Sequence, residues 1–346
     1  MSNDFIILLT LLFWCCVARA EIKSYAALGD SYPAGDGAGL PYHLPSPNAL
    51  CGRFSEAYPF QIADALGLSN TWFHHPFHNE ACGGATTDSV MLKQLYHVRH
   101  ADLITIQVGG NQVDFFPVLN ECIQQWHPLS SCDHELEKAR SQIQSPHFAR
   151  AFDRMVKLAS HVKHEDAALL VLGYARFFNA ETDQCNGISF SKTNEANVLS
   201  NELRRAVNGL VVMMNDVIRA SAEAHGAVYV DVDRVFEGHR FCEKGVIEPK
   251  PDWEGTWFFR EAEKAENHAL EIQGHDKAWS QGAQTLGKSG LLSHFADLTR
   301  TFHPTIPGHA AIAKEIVSIS QNSNTIAGTK KLTLDKSSLT GLTKGL

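Results

Sequence analysis

The sequence predicts an α/β fold, a parallel sheet covered by helices on both faces. Two observations lead there. Short apolar runs alternate with longer stretches of helical periodicity along most of the 346 residues, which is the pattern of successive βα units. Most of those runs are dense in Val, Ile and Leu, as strands buried on both faces require.

Taken in order, strands are expected at residues 24–29, 71–77, 102–108, 167–174 and 227–232. Helices are expected between them at 55–66, 87–98, 145–163 and 195–225, and a last helix of small residues follows Pro307-Gly308-His309. In sheets of this kind the reactive loops gather at the carboxyl ends of the strands. Gly29-Asp30-Ser31 stands at one such end and Gly109-Gly110-Asn111 at another. Residues 237–296 fall outside the alternation: they are loop-rich and carry Trp253, Trp257, Phe258 and Phe259. They read either as a substrate-facing cap or as an insertion that packs its aromatics on the domain.

Composition narrows the class. Apolar residues make up 44% of the chain and charged residues 20%, an ordinary globular balance, and the formal net charge of −8 argues against a nucleic-acid binder. Residues 5–17 are nearly unbroken apolar sequence, and Ala18-Arg19-Ala20 supplies the small residues of a signal-peptidase site. The run is short for a bilayer span, although the preceding MSND carries no Lys or Arg. The expected organisation is a signal peptide at 1–20, one domain at 21–320 with the loop-rich insertion inside it, and a disordered polar tail at 321–346. A membrane anchor is the rival reading of the first segment. On the favoured reading the mature protein is secreted, has no integral membrane segment and is a monomer.

Cysteine usage fits that compartment. Of the eight cysteines, Cys15 and Cys16 leave with the signal, and Cys51, Cys82, Cys122, Cys132, Cys185 and Cys242 remain. An even number in a secreted chain suggests three disulfides, with fifteen pairings open. A zinc site is the alternative, against which stands the absence of any CxxC spacing.

The serine of Gly29-Asp30-Ser31 needs a base to become a nucleophile. Among 18 histidines, His303 stands out in Thr301-Phe302-His303-Pro304, a turn-rich setting that would hold it on a defined loop. Acyl transfer also needs donors where charge develops on the carbonyl oxygen. Cys82-Gly83-Gly84-Ala85-Thr86-Thr87 and Gly109-Gly110-Asn111 offer backbone N–H groups and an amide side chain. Each motif alone has an innocent reading as a turn. A phosphate-binding loop is excluded for the first glycines, because no Gly-Lys-Ser/Thr follows them. His74, His75 and His78 read as packing or surface residues rather than metal ligands, since Pro76 interrupts any helix that would align them. No cofactor and no metal are expected.

Together the four motifs occur in one order: Gly-Asp-Ser, Gly-Gly-Ala-Thr-Thr, Gly-Gly-Asn, then His-Pro. In that order the chain resembles the SGNH hydrolases, the GDSL-type esterases and lipases, over residues 25–316. CGRFSEAYP at 51–59 and ACGGATTDSV at 81–90 are similar to the secreted branch with three sequential disulfides. The resemblance implies a flavodoxin-like three-layer α/β/α sandwich with five parallel strands in order 2-1-3-4-5, and the pairs 51–82, 122–132 and 185–242. It implies Ser31 as nucleophile and His303 as general base. The N–H groups of Ser31 and Gly84 and the Asn111 amide become the oxyanion hole, while Asp30 shapes the turn.

Two departures stand out. Gln112 follows Asn111 where many members have Asp, and Arg300 occupies the position of the usual catalytic aspartate. Either Asp297 substitutes, or His303 works in a dyad with a backbone carbonyl, for which that of Arg300 is preferred. The expected activity is hydrolysis of carboxylic esters of small molecules or lipids, with fatty-acyl esters favoured, and it should decline below about pH 6–7 as the histidine charges. An acyltransferase, a carbohydrate esterase and a non-catalytic binding relative are the alternatives.

Overall fold

The computed structural model describes residues 21–40, 51–68, 76–126, 128–191, 193–248, 255–260 and 300–321. Five parallel strands form one sheet: β1 (Tyr25–Gly29), β2 (Phe77–Asn79), β3 (Leu103–Gln107), β4 (Ala168–Leu172) and β5 (Val228–Val230). Their order is β2-β1-β3-β4-β5, the order that the resemblance implies. Every residue of β1, β3 and β4 is buried, which explains why their sequences show no polar alternation. β1 runs in register with β3 from Tyr25↔Leu103 to Gly29↔Gln107, and so places Gly29 at the carboxyl edge of the sheet.

The helices are α1 (Ser31–Ala34), α2 (Tyr58–Ala65), α3 (Thr87–Ser89), α4 (Phe115–Leu119), α5 (Cys132–Gln144), α6 (Pro146–Val162), α7 (Asn201–Ala224), α8 (Val232–Val235) and α9 (Ile306–Ser320). The long ones begin where the sequence provides caps. Ser145 accepts from the Phe148 N–H at 3.1 Å with Pro146 in the first turn, and Ser200 accepts from the Leu203 N–H at 3.2 Å. α6 then buries Phe148, Phe152, Met155, Val156 and Ala159, one stripe at helical spacing. α5, α6 and α7 pack together in one layer, and α2 packs with α9 in the other.

Three elements depart from the sequence expectation. The second strand is three residues long and meets the expected 71–77 only at Phe77, and residues 71–75, with His74 and His75, lie outside the described ones. α5 is unanticipated because CDHELEKARSQIQ buries only Glu135, Ala139 and Ile143. The helix expected at 87–98 breaks after one turn into a π turn at Val90–Gln94 and a 3₁₀ turn at Leu95–His100. Gln94 accounts for that break. Its buried amide accepts from the Gly29 N–H at 2.7 Å and donates to the Gly29 carbonyl at 3.0 Å. β2 pairs with β1 only as far as Ala27, so the side chain takes the place of strand backbone for the Gly29 N–H, while the Gly29 carbonyl also accepts from the Cys82 N–H at 3.0 Å.

The disulfides are Cys51–Cys82, Cys122–Cys132 and Cys185–Cys242. Of the segment 237–296, the described residues 255–260 pack inward. Phe258 is buried among Phe177, Phe236 and Phe241, and Trp257 stacks on His239 at 3.4 Å. Trp253, most of the rest of that insertion, and the segments 1–20 and 322–346 lie outside the described residues.

Candidate active site

Ser31 opens α1 directly after β1, and the backbone there has little freedom. Gly29 has φ of +137°, and a Cβ on it would lie 1.8 Å from the Gln107 carbonyl oxygen, so only glycine fits. Asp30 caps the helix by accepting from the Tyr32 N–H at 3.1 Å. Its other oxygen accepts from the Tyr174 hydroxyl at 2.5 Å. Burial raises the Asp30 carboxyl to about 7, against the downward pull of the Tyr174 hydrogen bond. The turn-shaping role expected of Asp30 is therefore visible as two hydrogen bonds. The turn leaves the Ser31 N–H, first in its helix, without an intrahelical acceptor.

His303 arrives from the far end of the chain. Its Nε2 lies 2.7 Å from Ser31 Oγ and its Nδ1 lies 3.2 Å from the Thr301 carbonyl oxygen. This geometry fixes the tautomer: Nδ1–H donates to the carbonyl and Nε2 accepts from the serine hydroxyl. The carbonyl within hydrogen-bond distance of Nδ1 is that of Thr301, while the expected Arg300 carbonyl also acts on the ring. The Arg300 carbonyl accepts the backbone N–H of His303 at 2.9 Å. Phe302 between them has φ of +63°, which turns the chain so that the imidazole reaches back two residues. Asp297 lies outside the described residues.

Burial lowers His303 to about 4, with the Thr301 and Arg300 carbonyls pulling the other way. A histidine base works while neutral, that is, above its pKa. The acid limb of kcat/KM is therefore expected near pH 4, below the pH 6–7 that an ordinary imidazole suggests, and a pH–rate profile on a soluble ester checks it.

Two glycine turns complete the floor. The Gly83 N–H donates to the Cys51 carbonyl at 3.0 Å. For its N–H, Gly84 has no such backbone partner among the described residues. Its φ is +77°, and the turn opens into the same cavity as Ser31. Asn111 follows β3. One N–H of its amide holds the Ala85 carbonyl at 3.1 Å, and Asn111 also lines the cavity. Gln112 accepts from the Thr87 N–H at 3.2 Å and hydroxyl at 2.9 Å, and so ties the two turns together.

The cavity above these groups measures about 540 Å³. Its lining includes Phe115, Phe116, Trp126, Phe177, Val211 and Met214, apolar side chains that share the cavity with Ser31, Asn111 and His303. Asp36, an unremarked loop acid in the sequence, lines it too, and burial with the neighbouring Asp30 charge pushes its carboxyl well above the usual range. Tyr32, Tyr174 and Thr301 were equally invisible to motif reading. Among the described residues no group of three or more His, Cys, Asp or Glu is arranged to hold a metal ion. No helix among them is long and apolar enough to cross a membrane.

Behind the site, His309 is wholly buried. Its Nδ1 accepts from the Tyr58 N–H at 3.3 Å and its Nε2 has no hydrogen-bond partner. Burial lowers it to about 3, with a further contribution from His303. Between pH 3 and 6.5 the unfolded chain thus binds a proton that the folded protein excludes. Stability is expected to be lost as pH falls through that window, by several kcal/mol. Melting curves from pH 7 to 4 check this, with His309→Asn, which keeps the acceptor for Tyr58, showing the flatter dependence.

Fold and site together define a class: an enzyme that hydrolyses carboxylic esters on a three-layer α/β/α sandwich. Residues 27–250 match the GDSL-like Lipase/Acylhydrolase family, and the chain belongs to that family. The match takes in Ser31, Gly84 and Asn111 and ends before His303. A lipase of Streptomyces rimosus is 33% identical over 225 residues, 65% of this chain and 75% of that protein. Lipase 1 of Streptomyces coelicolor is 32% identical over 224 residues, covering 64% and 74%. Among solved structures, phospholipase A1 from Streptomyces albidoflavus NA297 superposes with a TM-score of 0.60 at 25% identity, over 87% of this chain and all of that one. The extracellular lipase from Streptomyces rimosus gives 0.59 at 25% identity, with the same coverage of 87%.

Proposed function

We propose that this protein is a secreted, monomeric serine hydrolase that cleaves fatty-acyl esters through an acyl-enzyme on Ser31. The observation that carries the reading is the 2.7 Å contact between Ser31 Oγ and His303 Nε2 in a largely apolar cavity. His303 takes the Ser31 proton as the hydroxyl attacks the ester carbonyl. The Ser31 and Gly84 N–H groups and the Asn111 amide hold the oxyanion. His303 then delivers its proton to the departing alcohol, and water repeats the sequence to free the acid. The Thr301 carbonyl steadies the imidazolium through Nδ1–H in the manner of a dyad, so no carboxylate is needed.

The apolar walls support an acyl chain as the part of the substrate that is buried. The names of the relatives, lipase and phospholipase A1, point the same way. Secretion is supported by the apolar first segment, the three disulfides and the extracellular lipase among the relatives.

The test is a series of p-nitrophenyl esters from acetyl to palmitoyl, run beside labelling with a fluorophosphonate and mass mapping of the modified residue. Turnover that rises with chain length and a label on Ser31 support the reading. A label elsewhere, or turnover confined to acetyl esters, overturns it. Adding a competing alcohol and analysing the products separates hydrolysis from acyl transfer.

A further inference from the structure

We infer that Tyr32, the residue after the nucleophile, is a positioning residue that sets the direction of the His303 imidazole by clamping the peptide bond that precedes it. This rests on the reading of Ser31 and His303 as nucleophile and base.

The contact spans 270 residues of sequence. The Tyr32 hydroxyl donates to the Phe302 carbonyl at 2.8 Å, and both groups are buried. That carbonyl and the His303 N–H belong to one peptide plane, and the N–H donates to the Arg300 carbonyl at 2.9 Å. The plane is thus held at both ends, by a side chain from the nucleophile's own helix and by the histidine's own loop. A plane so held fixes the backbone angles on either side of it, and with them the path of the Cα–Cβ bond that carries the imidazole.

The plane needs such a clamp. Phe302 has φ of +63°, a region that a bulky side chain avoids and that persists only where the surroundings enforce it. Phe302 is held from the other side by its N–H, which donates to the Phe259 carbonyl at 2.7 Å. The Tyr32 ring also bears on the imidazole, with centroids 5.0 Å apart and a tilt of 47°. That ring is itself braced edge-on by Tyr174, at 5.0 Å and 74°, whose hydroxyl is fixed on Asp30. Asp30, Ser31 and Tyr32 are consecutive, so one short segment places the nucleophile and orients the base. Burial keeps the Tyr32 hydroxyl protonated far above neutrality, so the donor is present throughout the working range.

The titratable groups around His303 are Asp30, Tyr32 and Asp36 on and just after the nucleophile segment, Tyr174 after β4, Arg300 on its own loop and His309 behind it. None of them changes in a Tyr32→Phe enzyme except the Tyr32 hydroxyl. A released Phe302 peptide would let the imidazole turn toward water, and an imidazole in water titrates higher than a buried one.

The experiment follows the rate at which a fluorophosphonate modifies Ser31 between pH 3.5 and 8, in the full-length protein. It compares wild type, Tyr32→Phe, which keeps the ring, and His303→Ala, with melting temperature and KM for p-nitrophenyl butyrate measured beside it. The expected result for Tyr32→Phe is a rate about ten- to a hundredfold lower, with a pH midpoint at least one unit above wild type and KM unchanged. A Tyr32→Phe enzyme that loses melting temperature but keeps the wild-type midpoint and the rate per folded molecule overturns the inference and leaves the tyrosine a packing residue. A His303→Ala enzyme that reacts at the wild-type rate overturns the base itself, and is told apart because the failure then lies in a different variant.

Discussion

Ester hydrolysis by a Ser31→Ala enzyme is expected to fall by about 10⁴–10⁶-fold. His303→Ala is expected to fall nearly as far, and the double variant no further. The reason is that the two groups perform one act. The hydroxyl is a weak nucleophile until Nε2, at 2.7 Å, takes its proton, and without the hydroxyl the imidazole has nothing to deprotonate. Release of p-nitrophenol from a short-chain ester measures all three, and a melting curve shows that each variant is folded. Independent losses that multiply in the double variant would show that serine and histidine act in separate steps. Undiminished Ser31→Ala would assign the hydrolysis to another residue.

Asn111→Ala is expected to lower kcat by about 10²–10³-fold while leaving KM within a few-fold of wild type. The oxyanion exists only as the carbonyl becomes tetrahedral, so a donor aimed at it stabilises the transition state more than the bound ester. Asn111 also holds the Ala85 carbonyl at 3.1 Å, one residue beyond Gly84. Its loss loosens the neighbouring donor as well, which sets the expected effect toward the upper end. Steady-state kinetics on one p-nitrophenyl ester distinguish the outcomes: an effect confined to KM would place Asn111 in substrate binding alone. Gly84→Ala is a complementary probe, because a Cβ there meets nothing within 4 Å and its effect would come from the backbone angle of +77°.

The sheet was legible because burial on both faces leaves a strong mark: β1, β3 and β4 are each wholly buried, and no run of loop residues looks like them. The four positions that meet at the cavity were legible as motifs in order, each tied to a strand end or turn. What remained hidden was of another kind. Tyr32 with Phe302, Tyr174 with Asp30 and Gln94 with Gly29 are pairs 270, 144 and 65 residues apart. No local periodicity encodes such pairs. The Thr301 carbonyl is equally silent, since every residue carries a carbonyl and only the left-handed turn at Phe302 aims this one. The shift of His303 to about 4 follows from burial that a loop sequence does not announce. α5 failed for a simpler reason, its buried stripe being too sparse to register against the charges around it.

The three disulfides join the cysteines first to second, third to fourth and fifth to sixth. No bridge straddles another. Once Cys15 and Cys16 have left with the first segment, a chain that enters an oxidising compartment amino end first offers Cys82 its correct partner before any later cysteine has emerged, and the same holds for Cys132 and Cys242. Once each pair has closed, the next cysteine to appear finds no free thiol behind it. Oxidation of the reduced, full-length chain all at once removes that order, and is expected to give crossed pairings that entry amino end first avoids.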